Sequence, residues 1–152
     1  MSNKLLVLRV ISEKLNQYAS LRSVVPPDVG WISSIRQSLN MTMEQLGRKL
    51  KVTKQAVSQI EKRESEGTLT LNGLRDAANA MDMQLIYAIV PKTGTLETYV
   101  EQRAFELARE TLLEVNQQMR LEAQAVDDEQ LSAVIAEAAA ELVRSVDRQL
   151  WD

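Results

Sequence analysis

The sequence predicts a mainly α fold with one short strand, and three observations point there. Leu, Ala, Glu, Gln and Arg are plentiful while aromatic residues are only 4% of the 152, a balance that favours helices over sheets. Apolar residues recur three or four apart along most of the chain, the period of a helix face. Ser, Thr and Asp stand repeatedly just ahead of these periodic runs, where helices begin. With 45% hydrophobic and 26% charged residues the chain has the apolar mass for a core. Its punctuation divides it into an N-terminal helix (1–28), a central domain (29–91) and a helical extension (92–152).

In order, the first helix carries Leu5, Leu8, Ile11, Leu15 and Tyr18 on one face. Pro26 and Pro27 close that piece, because proline cannot continue a helix and pushes its predecessor to extended geometry. Gly30 and Trp31 open the next. A helix over 31–39 uses Ile32, Ile35 and Leu39, and Asn40-Met41 breaks it. Thr42 then suits an N-cap with Gln45 as its reciprocal partner, and a short helix runs to Leu50. After a tight turn at Lys51-Val52, Thr53 caps a helix through about Lys62. Residues 63–70 read as a loop, and 71–81 resume the helical pattern with Leu71, Leu74, Ala78 and Met81.

Gln84–Val90 (QLIYAIV) is rich in β-favouring residues and closed by Pro91, which predicts a strand. A lone strand must pair, either across a two-fold axis or along a neighbouring loop. The remainder predicts a helical hairpin. One stripe is Leu96, Val100, Ala104, Leu107, Thr111, Val115 and Met119. The other is Leu131, Val134, Ile135, Ala138, Leu142, Val143, Val146 and Leu150. Asp127-Asp128-Glu129 suits the turn and the second helix's N-terminus, where negative charge is favourable. Trp31 and Trp151 read as core anchors.

The chain has no cysteine and no histidine. Disulfide scaffolds, Cys/His zinc sites, Cys nucleophiles and Ser-His-Asp triads are thereby excluded. Asp127–Glu129 lacks the spaced ligand loop of a calcium site, and Lys92-Thr93-Gly94-Thr95 lacks the order of a phosphate loop. No metal, cofactor or enzymatic activity is expected. The opening MSNKLLVLRVISEKL is too broken by charge for a membrane span and has no cleavage site, which predicts a cytoplasmic protein without a membrane partner.

Net charge is −3, but that total hides an asymmetry. Residues 29–63 hold seven Lys/Arg against two Asp/Glu, whereas 94–152 hold five against thirteen. A basic block beside an acidic one predicts two surfaces with different partners.

The basic block contains the pattern that carries function. Residues 42–61, TMEQLGRKLKVTKQAVSQIE, give two short helices about four residues apart with apolar anchors at Leu46, Leu50, Val52, Val57 and Ile60. Gly47 supplies the small residue that a close helix crossing needs, and Val52 is expected to fill the wedge under the turn. Lys54, Gln55, Ser58 and Gln59 are left on the outer face, near the N-terminus of the second helix. Gln can pair with the adenine edge in the major groove, and Lys reaches guanine acceptors or phosphate. These four are the candidate base contacts. Arg48, Lys49, Lys51, Lys62 and Arg63 are candidate phosphate contacts, joined by the helix N-termini at Thr42 and Thr53. The partner implied is double-stranded DNA.

On Thr42, Leu46, Gly47, Val52, Thr53, Ile60 and Glu61, residues 29–90 resemble the Xre family of lambda-repressor/Cro-like helix-turn-helix domains. Two positions depart from its pattern: Lys51 stands where the turn often has glycine, and Met43 where glutamine commonly touches the DNA backbone. The resemblance implies a repressor that binds a palindromic operator as a homodimer, with half-sites about 34 Å apart, and regulates its own operon.

The longer arrangement, with its leading helix, WISSIRQSLNMTMEQL, QLIYAIVPK and helical tail, also resembles the mobile mystery protein A group. That likeness implies an antitoxin binding a neighbouring Fic-domain toxin. Many Fic enzymes are blocked by an S/T-x-x-x-E-G/N helix. Here Glu66-Gly67 has Lys62 at the hydroxyl position, and Thr93…Glu97 is followed by Thr98, so that motif is absent in its usual form. The tail's alternatives are a self-contained hairpin core, a dimer contact or a partner clamp.

Overall fold

The computed structural model describes residues 2–124 and 126–152. Among these are seven α-helices and two single-turn 3-10 helices. The α-helices are α1 (Asn3–Asn16), α2 (Trp31–Ser38), α3 (Met43–Leu50), α4 (Lys54–Ser65), α5 (Leu71–Ala80), α6 (Leu96–Leu121) and α7 (Asp128–Ser145). The chain divides into two compact units, Ser23–Tyr87 and Met1–Arg22 with Ala88–Asp152.

Helix starts follow the side chains. Ser2, Thr42, Thr53, Thr70, Thr95 and Asp127 each accept a hydrogen bond from the backbone N–H three residues on, satisfying a donor the helix itself leaves unpaired. Helix ends are less ordinary. Asn40, Lys51, Asp82, Ala123 and Val146 all take positive φ, and each closes its helix with a backbone bond back across the last turn, such as Val52 N–H to the Gly47 carbonyl at 2.8 Å. This is the Schellman termination, which glycine usually serves because it has no Cβ to clash.

In the Ser23–Tyr87 unit the core is Ile32, Leu46, Val57, Ala77 and Met81, one or two from each of α2 to α5 and its C-cap. In the other unit α6 and α7 form the hairpin. Ala104, Ala108 and Ala139 lie in its seam with Val100, Leu131, Ile135 and Leu150, small residues that let two helix backbones approach closely. Helix α1 packs on both hairpin helices. The Ser2 hydroxyl donates to the Arg144 carbonyl at 2.6 Å, and the buried Ser12 hydroxyl donates to the Glu97 carboxylate.

Several expectations change. The strand over Gln84–Val90 is absent, and no strand occurs among the described residues. β-Favouring side chains make a strand only when a neighbour supplies the ladder. No second extended segment does so here: Ile86 is 63% and Ile89 86% exposed. The tryptophans are not core anchors. Trp31 is about half exposed, and Trp151 stacks on Tyr99 at the surface while its neighbour Leu150 is fully buried. On α1 the inward position is Ser12, with Ile11 exposed. On α6 the seam beyond Leu107 passes through Ala108 and Asn116, leaving Thr111 and Val115 exposed. Asn116 is drawn in by polar need, since its Oδ1 accepts the Val126 N–H at 3.2 Å.

Candidate nucleic-acid interface

Helices α3 and α4 are set by their junction. Thr42 and Gln45 form the full capping box: the Gln45 N–H donates to Thr42 Oγ1 at 3.1 Å and the Thr42 N–H to Gln45 Oε1 at 2.8 Å. Helix α3 ends at Lys51, in the left-handed region with φ 60 and ψ 37. Lys51 thus occupies the turn position that a glycine would suit best. Gly47 is required for a reason other than the one expected. A Cβ there would lie 2.7 Å from the Val52 carbonyl oxygen, so the close approach is to the turn and not to the body of α4. Val52 is 40% exposed and does not fill the wedge; Leu46 and Val57, both fully buried, do.

From Thr53, whose Oγ1 accepts the Ala56 N–H at 3.1 Å, α4 runs with two different sides. Val57 and Glu61 are buried, and Ile60 and Glu64 are partly so. Lys54, Gln55, Ser58 and Gln59 are all exposed, spaced i, i+1, i+4, i+5 and therefore sharing one side. Among the described residues, no hydrogen bond engages the side chains of Lys54, Gln55 or Gln59.

The candidate phosphate residues are exposed as well: Thr42, Arg48, Lys49, Lys51, Thr53, Lys62 and Arg63. They cluster at the α3 N-cap, the α3–α4 turn and the far end of α4. Besides Thr53, whose hydroxyl accepts the Ala56 N–H, two have other partners. The Thr42 N–H is taken by Gln45, and Lys62 lies 3.8 Å from Glu66 in an exposed pair, an interaction worth little against a phosphate.

The buried side of α4 carries chemistry not anticipated from sequence, in Glu61 and Glu64, the first paired with Arg36 of α2. Arg36 Nε donates to Glu61 Oε1 at 2.5 Å and its Nη2 to Glu61 Oε2 at 3.2 Å, while Nη1 donates to the Met41 carbonyl at 2.9 Å. The pair is buried at both ends. One turn further on, Glu64 accepts from the N–H groups of Trp31 and Ile32 at 2.8 and 2.9 Å. Helix α2 has glycine at its own N-cap, so it lacks a capping side chain; Glu64 supplies the acceptor from a distance, as an anion at the positive end of a helix dipole. A Cβ on Gly30 would strike that carboxylate at 2.7 Å. Glycine before Trp31 was the available signal.

Two short helices, a left-handed hinge residue between them and a second helix with one buried and one polar side make a specific arrangement. Residues 32–83, about a third of the chain, match the helix-turn-helix family model. This segment is similar to helix-turn-helix domains. Neither the search of curated proteins nor that of solved structures found a match. The helix-turn-helix domain is a DNA-binding regulatory module, and within it α3 and α4 are the paired helices, with α4 second.

No helix among the described residues is long and apolar enough to cross a membrane. Asp127 and Asp128 have structural partners: Asp127 caps α7, and Asp128 lies 3.5 Å from Arg120.

Proposed function

We propose that the protein is a sequence-specific transcriptional repressor that binds a palindromic operator as a homodimer and controls its own operon. The observation that carries this is the exposed quartet Lys54, Gln55, Ser58 and Gln59 on a helix whose other side is locked to its domain. A polar side free of internal partners meets base edges without first breaking bonds of its own. Arg48, Lys49, Lys51, Lys62 and Arg63 would neutralise phosphates on either flank, with the N-termini at Thr42 and Thr53 adding backbone donors. Occupancy of the operator would exclude polymerase, so the function needs no catalytic step.

The test is a mobility shift with the DNA upstream of the protein's own gene, titrated with salt. A sequence-selective shift that weakens steeply as salt rises is expected. Binding indifferent to sequence, or none, overturns the reading. A Fic-domain partner receives less support: the S/T-x-x-x-E-G/N motif is absent in its usual form at Lys62…Glu66-Gly67 and Thr93…Glu97-Thr98.

A further inference from the structure

The helix-turn-helix segment holds a cavity of about 330 Å³ that DNA binding does not use: none of the candidate base or phosphate contacts lines it. Its size falls within the range of small-molecule sites. Every residue that lines it belongs to the Ser23–Tyr87 unit. Helix α2 gives Trp31 and Ile35, α5 gives Leu74 and Ala78, and the segment after α5 gives Met83 and Ile86. Trp31 and Ile86 are both exposed, so the cavity is reached from solvent.

Glu64 of α4 is the one ionisable side chain among the lining residues. Its two oxygens accept the N–H groups of Trp31 and Ile32, which leaves further lone pairs of the carboxylate open. Among the described residues no Lys or Arg forms an ion pair with it. A carboxylate with no cationic partner therefore stands beside an indole in a largely apolar wall. Aromatic faces and carboxylates both attract positive charge, and the apolar wall favours hydrocarbon over water. An anion of the same size would be repelled.

We propose that this cavity binds a small lipophilic organic cation, of the quaternary ammonium or phosphonium kind, and that the occupant loosens α4 from α2. A cation drawn to Glu64 competes with the two N–H groups that tie this residue to the start of α2. Glu64 lies on the same helix as the candidate base contacts, so that release would reach them. By reciprocity, operator DNA and the cation then weaken each other's binding. The site itself is independent of the proposed function, whereas its effect on DNA rests on that reading.

The chain has two tryptophans, so Trp151→Phe leaves Trp31 as the sole indole reporter. In that full-length background, tetraphenylphosphonium is expected to change the Trp31 fluorescence saturably, and tetraphenylborate, of the same shape and opposite charge, is not. Glu64→Gln is expected to weaken the binding about tenfold or more. Ala78→Phe, which fills the cavity and leaves Glu64 in place, is expected to abolish it. Equal binding of the two ions, binding of neither, or undiminished binding to Glu64→Gln overturns the proposal. A response that fades as protein concentration rises means that a second copy fills the cavity, and overturns it too. Should Glu64→Gln fail to fold, Ala78→Phe and the comparison of the two ions decide. In the operator shift, saturating tetraphenylphosphonium is expected to weaken binding several-fold, and an unchanged shift overturns the loosening of α4. A protein that binds the cation but shifts no DNA at all overturns the DNA reading and leaves the site standing.

Discussion

Arg36 and Glu61 form a two-pronged ion pair inside the helix-turn-helix domain, joining α2 to α4. Both side chains are withdrawn from water, so their mutual attraction is offset by a large desolvation cost, and the net value of the pair is small. Breaking it is another matter. Glu61→Gln should leave the buried guanidinium uncompensated and cost about 3–5 kcal/mol, whereas Arg36→Met with Glu61→Leu should recover most of that loss. Urea unfolding of Glu61→Gln and of the double variant would measure both effects.

Lys51 separates stability from binding. It holds a left-handed conformation that costs a non-glycine residue about 1 kcal/mol or more, and its exposed side chain makes no hydrogen bond or ion pair among the described residues. After allowing for the extra freedom glycine brings to the unfolded chain, Lys51→Gly should raise stability by about 0.5 kcal/mol. The same change should weaken operator binding if Lys51 meets a phosphate. Denaturant melts and salt-titrated mobility shifts on one preparation would read the two opposite signs.

Gly47 should tolerate nothing larger. Gly47→Ala sets a methyl group against the Val52 carbonyl, a backbone atom that cannot step aside. A loss of about 1–3 kcal/mol is expected from such overpacking, seen as a lower thermal midpoint and a weaker operator complex.

On α4, Gln55→Ala and Gln59→Ala should each relax sequence preference, at about 1–3 kcal/mol for the affected base pair. Lys49→Ala should weaken all sequences alike and reduce the salt slope by about 1. Competition with operator variants distinguishes the two outcomes. Equal loss on every sequence for the Gln variants would remove them from the base-reading role.

The Ser12 hydroxyl bond lowers the Glu97 carboxyl below its ordinary value of 4.5, aided by Arg9 and opposed by partial burial. A depressed carboxylate stabilises the fold above its unfolded pKa, and that contribution disappears as pH falls through the folded value. Ser12→Ala should therefore cost stability at neutral pH and show less further loss on acidification than the wild type. Unfolding free energies measured across the acidic range would show the two curves converging.

Much of this architecture was legible because it is local. Thr42 with Gln45, Thr53 and Asp127 announce their helices by chemistry within four residues, and the period of Leu46, Leu50, Val57 and Ile60 fixes which side is buried. The polar quartet follows by subtraction. What escaped is non-local. Nothing near Arg36 in sequence names Glu61 as its partner, and Glu64 was assigned to a loop because its reason for being helical lies at the start of α2. Gln84–Val90 failed for the complementary reason: its composition suits a strand, but a strand also needs a neighbour, which composition does not report. On α6 the stripe slipped by one position once the buried polar Asn116 replaced the apolar residue the period called for.

Glu61 and Glu64 sit three residues apart on the back of α4, and both end on α2. The second helix is thus riveted at two heights to one neighbour and has little freedom to rock or slide. A probe this stiff leaves accommodation to the duplex, so the bending of the DNA would have to make up any misfit between two half-sites. Operator strength should then depend on the flexibility of base pairs lying between the half-sites, which no side chain of α4 reaches.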